Sequence, residues 1–263
     1  MISFLLGIPE DRWEWMSDIS KVLVKVVDPF TSFDPAEMEA TVQETRQVLT
    51  ELADERRRNP TDDVISTLVT ANEEGDQLTM DELVAVTTTI LFAGHETTTG
   101  LLCTSMLALA QHPEQRALVQ ADPELWPNAV EELIRWDTSV QMIPRSAAAD
   151  VKIGDKVIAK GDNVLVVLAM ANRDPAEYDR PNELDLTRTG GKPLGFGHGI
   201  HYCLGQALAR MELRIGLRAV IDRFGDYTID ESKVEWRQVA TLRSPTTLLV
   251  KRGQQATTKV VPA

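Results

Sequence analysis

Phe196-Gly197-His198-Gly199-Ile200-His201-Tyr202-Cys203-Leu204-Gly205 is the stretch on which the reading of this chain turns. A glycine-rich loop of this kind predicts a cysteine delivered to the first turn of a helix, where free backbone N–H groups and the positive end of the helix dipole favour a thiolate. Gly197, Gly199 and Gly205 permit tight turns and let a flat, bulky ligand approach the backbone. The pattern reads as a loop that holds a metal through sulfur. Two plainer readings compete with it. An inert buried cysteine explains none of the glycines, and a zinc site on His198, His201 and Cys203 lacks a fourth ligand, since no second Cys/His cluster lies within reach in sequence.

Outward from this loop, Leu204, Leu208, Met211 and Ile215 recur at helical spacing, and residues 228–250 are strand-like, with a frayed tail expected from Gly253. Upstream, residues 172–202 are irregular and punctuated by proline and glycine, after short strands with turns over 151–161 and an apolar run over 164–171. Residues 10–140 read as helix after helix. The span 37–58 is amphipathic and ends in Arg56-Arg57-Arg58 before Asn59-Pro60, which suits the negative end of a helix dipole and a proline stop. Asp62 is expected to cap the helix that follows, near Val64. Thr79-Met80-Asp81-Glu82 has capping-box spacing, so a long helix is predicted from Met80 to the residue before His112-Pro113, about 48 Å at 1.5 Å per residue. Its middle, Ala93-Gly94-His95-Glu96-Thr97-Thr98-Thr99-Gly100, is a poor helix by propensity, so something else is served there.

The 263 residues carry 27 Lys+Arg against 40 Asp+Glu, a net charge of −13, with 43% hydrophobic residues. That apolar fraction excludes a disordered chain, and the acidic balance argues against nucleic acid and against an anionic membrane surface. Cys103 and Cys203 cannot build a disulfide framework, which favours a reducing cytoplasm, and Cys103 reads as inert packing. Residues 1–8 are apolar but lack a basic region, so no secretory signal is expected. Residues 83–110 carry His95 and Glu96 as their ionisable groups and are diluted by seven threonines and two glycines; they read as a buried helix rather than a membrane span.

The ten residues from Phe196 to Gly205 match the Phe-Gly-x-Gly-x-His-x-Cys-x-Gly haem-binding signature of the cytochromes P450, and three further motifs stand in the family's order. The chain therefore resembles a soluble bacterial member of that family, from about residue 4 to residue 251, and the resemblance implies a mainly α fold with small β-sheets. It also implies a single partial domain over 1–263, with a helical part over about 1–140, a β-rich and haem-loop part over about 141–252 and a tail over 253–263. The family's amino-terminal third is expected to be missing. That leads to the expectation of exposed apolar faces, self-association, weak haem occupancy and little coupled turnover for these residues alone.

By the same resemblance, Cys203 is the iron ligand of haem b, with Phe196, Gly197, Gly205 and Gly94 beside the cofactor and His201 and Arg145 meeting its propionates. Glu132 and Arg135, three residues apart on one helix face, join Arg188 as a structural ion-pair group, with Leu184 where the family often has Phe. Glu96 and Thr97 match the acid-alcohol pair that delivers protons during dioxygen activation, in which a Thr hydroxyl bonding back into its helix makes room for dioxygen and water. Matching position implies substrate contacts from Thr89, Phe92, Ala93, Met142, Ile143, Thr241 and Leu242. The implied activity is a monooxygenase that uses O2, a small hydrophobic substrate and electrons from a separate ferredoxin or flavodoxin, with Arg210 and Arg214 as a basic docking patch. A binding protein for haem or a hydrophobic ligand and a peroxide-driven oxygenase are the alternatives; the Glu96-Thr97 pair, needed for dioxygen and not for peroxide, favours the monooxygenase.

Overall fold

The computed structural model of the chain describes residues 1–73 and 76–253 and begins with α1 (Ile2–Leu6) and α2 (Trp13–Leu23). α3 (Pro35–Arg58) starts on Asp34, whose carboxylate accepts the Ala36 N–H at 2.9 Å, has Pro35 at its first position and ends in the three arginines. α4 (Val64–Thr70) is followed by the hairpin of β1 (Asn72–Glu73) and β2 (Asp76–Gln77). α5 (Met80–Gln111) is the 32-residue helix that the sequence predicts. Its capping box is formed: Glu82 Oε2 accepts the Thr79 N–H at 2.9 Å and Thr79 Oγ accepts the Glu82 N–H at 3.3 Å.

Two compact units divide the chain, Met1–Glu96 and the residues from Thr97 onward. The first has its own core, in which Leu6, Met16, Ile19, Leu49, Leu52, Ile65, Leu83 and Leu91 from five helices and Ile8 from the connection after α1 are buried. Gly94 belongs to this packing, because a Cβ there would meet Ile2 Cδ1 at 2.8 Å. Its small size in the middle of α5 thus has a reason within the chain, the close approach of α1.

The residue that caps α4 is Asp63, not Asp62. Asp63 has the extended backbone of an N-cap and its Oδ1 accepts the Ser66 N–H at 2.7 Å, while its Oδ2 accepts from Arg56 Nε at 2.6 Å. Arg56 also donates to the Gly7 carbonyl at 2.8 Å, and a Cβ on Gly7 would overlap Asp63 Oδ2 at 2.1 Å. One carboxylate therefore ties together the end of α1, α3 and α4. Burial pushes the Asp63 carboxyl up, but hydrogen bonds from Thr61, Ser66 and Arg56 outweigh it and hold the group below the usual aspartate range. A folded-state value below the unfolded one gives stabilisation that is fully present above the ordinary aspartate range and is lost as pH falls through the folded value. Asp63→Ala should lower the stability of this unit by about 2–4 kcal/mol, through the lost cap and the loss of the buried carboxylate partner of Arg56, which keeps Glu55 at 3.2 Å and the Gly7 carbonyl, and should flatten its acid destabilisation. Denaturant melts between about pH 3 and pH 7 check this, and equal acid sensitivity in both proteins would contradict it.

The second unit continues with α6 (Pro113–Ala121) and α7 (Trp126–Trp136), then β3 (Met142–Ser146), β4 (Val151–Ile153), β5 (Lys156–Ile158) and β6 (Asn163–Val167). α8 (Leu168–Ala171), α9 (Gln206–Phe224), β7 (Thr228–Ile229), β8 (Glu235–Trp236), β9 (Pro245–Thr247) and β10 (Val250–Lys251) complete it. Among the described residues every sheet here is a two-stranded antiparallel ladder: β3 with β6, β4 with β5, β7 with β10 and β8 with β9. Leu101, Leu109, Val119, Trp126, Leu133, Ile134, Leu186, Leu213, Leu217 and Ile221 form the core. The fold is mainly α with small β-sheets.

α9 has two apolar faces. Leu213, Leu217 and Ile221 are buried, whereas of the stripe recognised in the sequence Met211 is 43% and Ile215 58% exposed, Leu208 is half-buried, and Leu204, 91% exposed, stands before the helix begins. Among the described residues, no helix is long and apolar enough to cross a membrane. Gly253 donates its N–H to the Phe224 carbonyl at 3.1 Å, so it is anchored rather than frayed; the rest of the expected tail lies outside the described residues.

Candidate functional site

The loop that carries Cys203 hangs on a chain of buried polar contacts that starts in α7. Arg135 donates to Glu132 at 2.7 and 2.8 Å, and Arg188 Nε reaches the same carboxylate at 3.2 and 3.1 Å. The Glu132 side chain is 2% exposed and that of Arg135 1%. Arg135 uses its remaining donors on the carbonyls of Asn172, Pro181 and Glu183, and Glu132 also accepts the Asp185 N–H at 2.9 Å. The three residues that the resemblance grouped are thus in contact, with Glu132 and Arg135 buried and Arg188 half-buried, and Leu184 sits in the core.

Asn172 passes this order to the loop. Its carbonyl accepts from Arg135 at 3.1 Å, while its side-chain Oδ1 accepts the Leu194 N–H at 2.7 Å. Gly195 then packs so tightly on the end of α7 and the residues just after it that a Cβ would lie 2.7 Å from Ile134 Cγ2 and Thr138 Oγ1. Phe196 lies under the Arg210 guanidinium, 4.6 Å from the ring centre, and Glu131 holds Arg210 through both of its oxygens. Neither Asn172 nor Glu131 is among the residues expected from the sequence. Asn172 sits in an irregular stretch and Glu131 is one of many helix-surface acids, so neither carries a local signal.

Gly197 and Gly199 take φ of 72° and 76°, which brings the chain back so that the Cys203 N–H donates to the Phe196 carbonyl at 3.0 Å. Gly205 differs from the expectation. Its φ is −83° and a Cβ there would meet nothing within 4 Å, so the turn does not require a glycine. Cys203 also does not lie in the first turn of α9. The helix begins at Gln206 with Gly205 as its N-cap, because residues 202–205 are spent closing the loop, and Cys203 stands just before it.

The half-buried thiol is flanked by Ile200, 98% exposed, and Leu204, 91% exposed. A lone sulfur donor in a loop that carries exposed apolar side chains and a glycine with open space where a Cβ would stand is chemistry suited to a flat, apolar macrocycle bound through its metal. The residues present therefore fit haem. They do not fit zinc, since no cluster of three or more metal-capable side chains is assembled among the described residues. Cys103 is half-buried, and burial pushes its thiol up, as for an inert packing residue.

The remaining candidates are dispersed. His201 is exposed, and Arg145 is exposed on β3, donating to the Pro144 carbonyl at 2.9 Å. Arg210, expected on a docking patch, is engaged by Glu131, which raises its affinity for its proton; it is a structural clamp on Phe196, and Arg214 alone of the pair is exposed. Met142 and Ile143 are half-buried on β3, whereas Thr241 and Leu242 are buried, pinned to residues 140 and 141 by a bridge from Val140 and by the Gln141 N–H at 2.9 Å. On α5, Thr89, Ala93 and Thr97 recur every four residues, with Thr89 and Ala93 exposed and Phe92 half-buried. Glu96 is 2% exposed and accepts a hydrogen bond from Ser20 Oγ at 2.7 Å; Ser20, far away in sequence, gives no signal there.

The cytochrome P450 family model matches residues 8–249 of this chain. The chain is similar to the cytochrome P450 monooxygenase PikC of Streptomyces venezuelae, with 38% identity over 264 residues that cover 97% of this chain and 62% of that protein. It is 35% identical to the biotin biosynthesis cytochrome P450 of Bacillus subtilis, over 90% of this chain and 60% of that protein. Among solved structures, P450BioI in complex with an acyl carrier protein ligated to hexadec-9Z-enoic acid superposes with a TM-score of 0.88 at 33% identity, covering 95% of this chain and 64% of that one. The chain thus spans about three fifths of the length of these relatives. With the family's loop, its Glu-Arg-Arg group and a match over nearly all its residues, the chain belongs to the cytochrome P450 family, whose cofactor is haem b.

Proposed function

We propose that this chain works as a haem-thiolate monooxygenase, inserting one oxygen atom of O2 into a small hydrophobic substrate. The observation that carries this reading is the Cys203 loop, a sulfur donor held by the Phe196 carbonyl and flanked by bare apolar side chains. When bound, haem b supplies the iron at which dioxygen is activated, and a thiolate ligand favours O–O cleavage. Cys203 Sγ would be that ligand, Phe196, Gly197, Gly205 and Gly94 would lie beside the macrocycle, and His201 and Arg145 would meet the propionates. Thr89, Phe92, Ala93, Met142, Ile143, Thr241 and Leu242 would line the substrate. Electrons would come from a separate ferredoxin or flavodoxin in the cytoplasm, where both cysteines stay reduced.

Proton delivery falls to Glu96 and Thr97. The Glu96 carboxyl holds the proton within the protein, and the Thr97 hydroxyl presents it where oxygen is reduced. Thr97→Ala should retain haem and substrate binding, read in the Soret band, while the fraction of electrons appearing in product falls about tenfold and the balance leaves as hydrogen peroxide. Product and peroxide are measured per reduced donor consumed. Unchanged coupling would contradict the role of Thr97, and a thiolate spectrum with no consumption of electrons by any donor would make the chain a haem-binding protein instead.

A further inference from the structure

Ser20 Oγ has one hydrogen and three polar neighbours. It lies 2.7 Å from Glu96 Oε1, 2.8 Å from His95 Nδ1 and 2.9 Å from the Ser17 carbonyl, and Ser20 itself is fully buried. All four residues belong to the first unit. The carbonyl can only accept, and an ionised Glu96 can only accept. With the single hydroxyl hydrogen shared between an ionised Glu96 at 2.7 Å and the Ser17 carbonyl at 2.9 Å, Oγ offers His95 Nδ1 lone pairs alone, so at 2.8 Å Nδ1 must itself be a donor. When Glu96 is protonated the roles reverse: the acid donates to Oγ, and the hydroxyl turns its hydrogen to His95 Nδ1. The imidazole side chain is 26% exposed, whereas that of Glu96 is 3% exposed.

We propose that His95 and Ser20 form the proton entry to Glu96, with water as the source. The step balances as a proton relay with no electron transferred. A solvent water, leaving hydroxide to be neutralised in bulk solvent, protonates His95 at Nε2; the Nδ1–H proton passes to Ser20 Oγ as the Oγ–H proton passes to Glu96 Oε1. One proton enters, the carboxylate becomes a neutral acid, and the imidazole is left neutral with its proton on Nε2. Ser20 and His95 are positioning and relay residues rather than catalytic ones, since they act through Glu96. This inference deepens the proton-delivery role given to Glu96 above and rests on it.

The test has one arm that needs no haem. Nitrogen-15 NMR of the histidine-labelled chain, with His95 assigned by its loss in His95→Gln, reads which ring nitrogen carries the proton. The expected result is Nδ1–H in the parent chain and a switch to Nε2–H in Glu96→Gln, whose amide donates to Ser20 as the protonated acid does. The same tautomer in both proteins would overturn the relay. The second arm uses the haem-loaded chain with its electron donor. His95→Gln at this part-exposed position keeps a donor for Ser20 but cannot take up a proton, so it should lower the fraction of electrons reaching product at least fivefold with an unchanged Soret band and melting temperature. Ser20→Ala should do the same. Parent-like coupling in His95→Gln would reduce the pair to a structural contact even if Ser20→Ala failed to fold. If no thiolate band forms in the parent, the monooxygenase reading fails while the NMR arm still decides whether the relay is wired.

Discussion

Glu132→Ala should destabilise the second unit by about 3–5 kcal/mol and release its cysteine loop. The carboxylate accepts from Arg135 Nε and Nη2, from Arg188 Nε and from the Asp185 N–H, so its removal strands two guanidinium groups whose side chains are 1% and 9% exposed. An exposed i,i+3 pair gives a scale for comparison. Lys21 and Asp18 lie 2.8 Å apart with side chains 54% and 66% exposed, and breaking that pair should cost well under about 1 kcal/mol, because water solvates either partner left behind. Arg135 also holds the Asn172 carbonyl, and Asn172 Oδ1 holds Leu194, so the loss should spread to the segment before Cys203. Denaturant midpoints of Glu132→Ala and Asp18→Ala, with haem retention on gel filtration, check the pair of statements. A loss below about 1 kcal/mol at Glu132 would mean that the group is an ordinary surface bridge.

How much of the molecule is legible in its amino-acid sequence follows the range of the forces involved. The capping box at Thr79 and Glu82, the arginine-rich end of α3 and the length of α5 are legible because each rests on groups within four residues of one another. The cap of α4 falls one residue from the expectation, since Asp62 and Asp63 offer the same oxygen and the choice is made by Arg56 and Ser66. The cysteine loop is legible as chemistry but not in detail: Gly205 keeps ordinary backbone, and Cys203 precedes the helix. Arg210 reads as a surface cation because its sequence neighbours say nothing of Glu131, 79 residues away. Asn172 and Ser20 give no sign for the same reason, their partners being brought to them by tertiary packing alone.

The stripe on α9 shows a different limit. Helical periodicity identifies an apolar face, but not what covers it. Met211 and Ile215 satisfy the period as well as Leu213 and Leu217 do, and only the second set lies in the core, while Leu204 precedes the helix.

Cys203→Ala should abolish the thiolate signature outright, the largest spectroscopic change open to any single substitution here. Cys203 is the sulfur donor of the loop, and among the described residues Cys103 is the other free thiol, on α5, half-buried and with its proton held more tightly by burial. The loop itself should survive the substitution, since the Cys203 N–H to Phe196 bond, the Gly195 contact and the Arg210 clamp involve no sulfur. The measurement that bears most directly on the whole reading is therefore the absorption spectrum of the reduced, haem-loaded chain under carbon monoxide, taken for the parent and for Cys203→Ala. The account predicts a strongly red-shifted Soret band in the parent and its absence in the variant; the same band in both, or no such band in a parent that retains haem, would contradict it.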